Sequence, residues 1–208
     1  MLKVFISYYH KDDQSKKDFF LIHNRMNQIF IDNSVSLGDI NDEFLTDEQI
    51  RRIIRDDYIK DSDVFILLCG KNTRHRKHID WELHAAMYKS DIKDPLPIIV
   101  INIDDHNNYT RIGQDEIFQY FPQLSFYSYP NSAYNAYLSK NDENILPERV
   151  LSSIKNKKCP ISVIPISLVY NYWSNFGEFI KKVYENRRKF IYDDSSLLRR
   201  RNGDDTWF

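Results

Sequence analysis

The chain has 208 residues, 42% hydrophobic, 28% charged and 14% aromatic, which excludes a disordered polymer and suits one domain with a substantial extension. A formal net charge of −1 supplies no global field toward nucleic acid or an anionic membrane, so neither is expected as a partner. The two cysteines, Cys69 and Cys159, are too few for a disulfide framework, no apolar run approaches the roughly 18 residues of a membrane span, and Met1 leads straight into a strand-like segment; a cytoplasmic location is expected.

Leu2 to Ser7 is short and rich in β-branched and aromatic residues and reads as a first strand. Phe19, Ile22, Met26, Ile29 and Phe30 recur at helical spacing, which predicts a helix from an N-cap at Ser15 to about Ile31. Thr46, three residues before Gln49, forms a capping-box pattern that opens a second helix carrying Ile50, Ile53, Ile54 and Tyr58. Val64 to Cys69 is a continuous apolar run ended by Gly70, as in a strand buried on both faces. Asp80 to Lys89 reads as a third helix and Leu96 to Ile103 as another buried strand.

This alternation predicts an α/β fold built on a parallel sheet, with Ser34 to Leu37 the candidate for the remaining strand. Phe118 to Tyr129 is a candidate edge element, and Ile145 to Lys155 and Ser167 to Tyr192 read as helices. The expected organisation is an α/β domain over 1–140, a helical extension packed on it over 141–192, and a flexible tail over 193–208.

None of the five glycines forms a dinucleotide fingerprint or a P-loop, which excludes those dehydrogenase and NTPase classes. The acidic pair Asp12 and Asp13 suits a phospho-acceptor receiver, but the Val64–Cys69 strand ends in Gly70 where such a domain carries an aspartate. His75, His78 and His84 are interleaved with Arg74, Arg76 and Lys77, so a solvated basic loop outweighs a metal site and no metal is expected. Cys69 reads as core rather than nucleophile, and Arg199 to Arg201 as a solvated tail.

The most informative stretch is Asp63 to Met87, where a buried strand delivers a polar loop and then a helix opening on Asp80-Trp81-Glu82. Ligands of parallel α/β sheets bind beyond the carboxyl ends of strands, which puts Glu82 near the expected cleft. Ile79, Ala85 and Ala86 are its helical neighbours, and burial among them raises a carboxylate's pKa. The plainer alternative is a first-turn carboxylate that complements the helix dipole. Ser7-Tyr8-Tyr9-His10 leaves the first strand on the same side, either to contact a nucleotide or to pack as an aromatic loop.

Val4-Phe5-Ile6-Ser7-Tyr8, Ser62 to Leu68 and His78-Ile79-Asp80-Trp81-Glu82-Leu83 together resemble Toll/interleukin-1 receptor (TIR) domains, and more closely the TIR-like proteins of bacterial Thoeris anti-phage systems. The resemblance implies a flavodoxin-like sheet flanked by helices. It also implies cleavage of NAD+, as substrate rather than cofactor, with Glu82 as the catalytic carboxylate and Phe5, Ser7, Tyr8, His10, Asp39 and Trp81 bordering the substrate. The implied product is an ADP-ribose-derived nucleotide, expected to be cyclic, that activates a partner effector. A phage-derived trigger and self-association into a homo-oligomer are further partners that the resemblance implies. Trp81 and Glu82 are adjacent, whereas family members often separate them, which turns the two side chains about 100° apart on a helix. Two alternatives stay open: a non-catalytic interaction module of the same fold, and a nucleoside deoxyribosyltransferase-like enzyme that also uses a glutamate.

Overall fold

A computed structural model of the chain describes residues 1–35, 45–89, 94–104, 144–157, 159–193, 195–199 and 202. Strand β1 (Lys3–Ser7) leads into helix α1 (His10–Asn27), followed by the two-residue strand β2 (Ile31–Asp32). Helix α2 (Asp47–Ile53) continues into a π-helical turn, Ile54–Ile59, and then come β3 (Val64–Cys69), α3 (Lys77–Met87) and β4 (Ile98–Asn102). The C-terminal half adds α4 (Glu148–Lys157), β5 (Ser162–Pro165), α5 (Ile166–Asn171) and α6 (Trp173–Glu185).

All pairings are parallel and the order is β2-β1-β3-β4-β5, the doubly wound arrangement of flavodoxin-like folds. Every residue of β3 and β4 is buried, because helices cover both faces of the sheet, and that is why these strands read as unbroken apolar runs. The β1–β3 register sets Ser7 beside Leu67.

The second strand forms three residues before the predicted Ser34, and Ser36 and Leu37 lie outside the described residues, as do Asp39 and the Phe118–Tyr129 element. Ser34 still completes the edge, since its Oγ accepts from the Ile6 amide at 2.8 Å where β2 has run out. Strand β5, with Pro160 shortly before it and Pro165 as its last residue, lies between the two expected helices and is too short to show a period in the sequence. The expected Ser167–Tyr192 helix is two helices, broken at Tyr172.

Helix α1 is the clearest reversal. Within the helix, which ends at Asn27 and not near Ile31, the expected core residues face outward, with Phe19 48%, Ile22 47% and Met26 78% exposed, while Asp13, Lys17, Phe20 and Asn24 are buried; beyond its end Phe30 is buried and Ile29 packs on the core, as expected. Two stripes share this helix, and the tertiary structure chose the polar one because those groups are used. Asn24 accepts from the Ile29 and Phe30 amides and donates to the Phe30 carbonyl, which ties off the chain where Gln28 ends the helix at φ 51°. The helix also begins earlier than Ser15, at His10. The capping box of α2 forms as expected, with Thr46 Oγ1 accepting from the Gln49 amide and Gln49 Oε1 accepting from the Thr46 amide.

Candidate active site

In this strand order the connections from β1 and β3 leave to opposite sides, and the crevice between them lies at the carboxyl ends of both strands. Ser7 closes β1 at that crevice. Cys69 and Gly70 close β3, and Gly70 is required by space: a Cβ there would stand 2.7 Å from Asp13 Oδ1. Thr73 Oγ1 then accepts from the Gly70 amide at 2.9 Å, turning the chain toward α3.

Helix α3 starts at Lys77, so Glu82 occupies its second turn rather than its first, which weakens the dipole-complementing alternative. Ser7 Oγ donates to Glu82 Oε2 at 2.5 Å, joining residues 75 apart in sequence. Burial pushes the Glu82 carboxyl up to about 7, opposed by the Ser7 hydrogen bond and by the positive charge of Lys17. A carboxylate balanced in this way near neutrality can take up or release a proton.

Tyr8 is buried beside this pair and donates its hydroxyl to Gln14 Oε1 at 2.6 Å; burial raises its pKa to about 12, so it stays a neutral donor. The His10 ring lies 4.3 Å from the Tyr8 ring at the rim, and its pKa is lowered by partial burial and then by the Lys17 charge. Lys17 Nζ stands 4.9 Å over the Tyr8 ring. A second carboxyl, Asp13, is pushed up to about 6 by burial and then by Asp12, and its Oδ2 has no hydrogen-bond partner.

Of the predicted site residues, Ser7, Tyr8, His10 and Glu82 come together. Phe5 is 1% exposed and stacks on Phe65 at 5.4 Å, part of the floor beneath Ser7 rather than a surface a ligand reaches. Asp39 lies outside the described residues. Trp81 points away from the Glu82 carboxyl: its Nε1 donates to the Arg199 carbonyl at 2.8 Å, and Arg51 and Lys77 stack on its ring. Lys17 was missed because the aliphatic stripe at Phe19, Ile22 and Met26 concealed the buried one.

The chain after Asp193, expected to fray, is docked where it is described. Arg149 and Asp80 form a buried two-pronged ion pair at 2.9 and 3.2 Å, and the same guanidinium donates to the Ser196 and Leu197 carbonyls. The Arg199 amide donates to Asp80 Oδ2 at 2.8 Å, and Asn202 Oδ1 accepts from the Lys77 amide at the start of α3. Arg199 is buried, so it belongs to this strap and not to a solvated tail. The C-terminal half thereby holds the helix that carries Glu82.

Cys69 is buried with its thiol pushed up to about 12, which fits a core residue. Among the described residues no group of three His, Cys, Asp or Glu side chains is disposed to hold a metal ion, and no helix is long and apolar enough to cross a membrane. A cleft of about 640 Å³ between the start of β1 and α6, lined by Met1, Leu2, Gln28 and Gly177, opens at the other end of the sheet from Glu82. The titratable groups converge instead at the β1/β3 crevice, which makes it the candidate site. Residues 5–108, half of the chain, match the family described as Thoeris protein ThsB, TIR-like domain. No curated protein matches the chain.

Proposed function

This chain belongs to the Thoeris ThsB TIR-like family, and from that premise we propose that it serves Thoeris defence by cleaving NAD+ at the nicotinamide–ribose bond. The observation that carries the reading is the Glu82 carboxyl, held by Ser7 at the β1/β3 crevice with its pKa raised to about 7.

The chemistry asks little of an acid. The electron pair of the breaking C–N bond passes to the pyridinium nitrogen and nicotinamide leaves neutral. The demand lies on the ribose, whose anomeric carbon becomes electron-poor, and an ionised Glu82 beside it stabilises that charge or captures it covalently as in retaining glycosidases. Ser7 fixes one carboxylate oxygen, and on this reading the other serves the ribose. In the second half-reaction a hydroxyl of water, or a nucleophile of the same nucleotide, attacks the anomeric carbon. Its proton passes to Glu82 or solvent, and where Glu82 has captured the ribose the ester bond breaks to return the carboxylate; attack by water gives ADP-ribose and attack from within the nucleotide gives a cyclic product. That product, on this reading, activates a separate effector protein, with phage infection and self-association as the triggers of catalysis.

The test is incubation of purified wild-type and Glu82→Gln protein with NAD+, alone and with lysate of phage-infected cells, followed by mass spectrometry. Nicotinamide and an ADP-ribose-mass product from wild type only is the expected result. No turnover under either condition replaces this reading with a non-catalytic interaction module, for which the exposed Phe19, Ile22 and Met26 of α1 offer a surface.

A further inference from the structure

Lys17 lies two turns into α1 and only 4% of its surface is exposed, a rare setting for an ammonium group. Among the described residues it forms no ion pair: the acidic partners used by other lysines and arginines are elsewhere. Its packing partner is the Tyr8 ring at 4.9 Å, a cation–π contact that returns part of the hydration lost on burial. Tyr8 follows Ser7 directly in the chain, and Ser7 holds Glu82. The Lys17 charge also reaches Glu82 and His10, lowering the pKa of each. A buried cation with no ion pair among the described residues is costly, and an anionic ligand would offset that cost.

Deepening the reading of the Glu82 site given above, we propose that the Lys17 ammonium binds the phosphate ester of the ribose whose anomeric carbon is presented to Glu82. A ribosyl nucleotide spans both groups: the anomeric carbon needs the carboxylate, and the 5′-phosphate on the same sugar supplies the missing negative charge. Lys17 is then a binding residue that selects nucleotides over nucleosides. This separates the site from that of a nucleoside deoxyribosyltransferase, which has no phosphate to hold. Tyr8, its hydroxyl donated to Gln14, carries its ring beneath the Lys17 ammonium.

The experiment is a calorimetric titration of wild type, Lys17→Met and Lys17→Arg with ADP-ribose, which keeps the ribose and pyrophosphate but has no nicotinamide bond to cleave, and with adenosine. The expected result is an ADP-ribose affinity at least tenfold weaker in Lys17→Met, largely restored in Lys17→Arg, with adenosine not following that pattern. Equal ADP-ribose affinity in folded wild type and Lys17→Met overturns the proposal. If Lys17→Met does not fold, competition on wild type decides: inorganic pyrophosphate displaces ADP-ribose if the site reads phosphate, and failure to displace it overturns the assignment. Tight ADP-ribose binding that depends on Lys17, without NAD+ turnover, removes the glycohydrolase reading and leaves the phosphate site. Turnover of NAD+ with a KM unaltered in Lys17→Met removes the phosphate site and leaves the glycohydrolase.

Discussion

Ser7 Oγ and Glu82 Oε2 lie 2.5 Å apart, a hydrogen bond that ties the end of β1 to the second turn of α3. Because the hydroxyl favours the ionised carboxylate, its removal raises the Glu82 pKa further above about 7. Ser7→Ala is therefore expected to move the acid limb of NAD+ cleavage to higher pH, cutting the rate several-fold at pH 7 and much less at pH 9. A pH profile of kcat/KM checks this, and an unmoved acid limb rejects the coupling.

Glu82 also has a stability consequence whose sign is opposite to that of a salt-bridged carboxylate. Its folded pKa is raised, so the folded state holds a proton that the unfolded chain has lost, and stability falls as pH rises from about 4.5 toward about 7. Glu82→Gln, which never ionises, is expected to be more stable than wild type at pH 8, by on the order of 1–3 kcal/mol, and nearly equal to it at pH 4. The same substitution is expected to abolish nicotinamide release, at least a hundredfold, so thermal melts and turnover move in opposite directions.

The Arg149–Asp80 pair is buried on both sides, and truncating one partner strands the other's charge. Arg149→Ala is expected to cost about 3–5 kcal/mol. The guanidinium also holds the Ser196 and Leu197 carbonyls, so the segment after Asp193 is expected to become a site of early proteolytic cleavage. Denaturant melts and limited proteolysis followed by mass spectrometry check the two halves of this expectation. Arg149→Lys keeps the charge but not the fork and is expected to fall between.

Gly70→Ala places a methyl 2.7 Å from Asp13 Oδ1, against a short side chain that is itself buried. The expected cost is about 1–3 kcal/mol. Combined with Asp13→Ala, which removes both the obstruction and an unsatisfied carboxylate oxygen, Gly70→Ala is expected to recover most of that loss. A double-mutant cycle in urea gives the coupling, and additive costs show the two residues to be independent.

Legibility followed local pattern. Strands β1, β3 and β4 and the α2 capping box were readable because a buried strand or a cap writes its period into adjacent residues. The two-residue β2 and the four-residue β5 write none; they exist because a neighbouring strand offers them hydrogen bonds. Helix α1 carried two periodic stripes, and only the aliphatic one looks like core on paper. In the site, Glu82 and Ser7 were legible from the segments around them, whereas Lys17 was not, since a lysine on a helix reads as solvated until a neighbour covers it.

The sequence by itself determined the class of fold, the absence of phosphate-cradling glycine loops, and the delivery of Glu82 to the carboxyl end of the sheet, all of which depend on residues close together in the chain. Only the tertiary structure decided which neighbours Glu82 meets and what Trp81 does. Consecutive residues of a helix point about 100° apart. Glu82 accordingly faces Ser7, and Trp81 anchors Arg199, a partner 118 residues away in the chain. Burial, charge and proton affinity at the site arise from contacts between distant segments, and no local pattern encodes them.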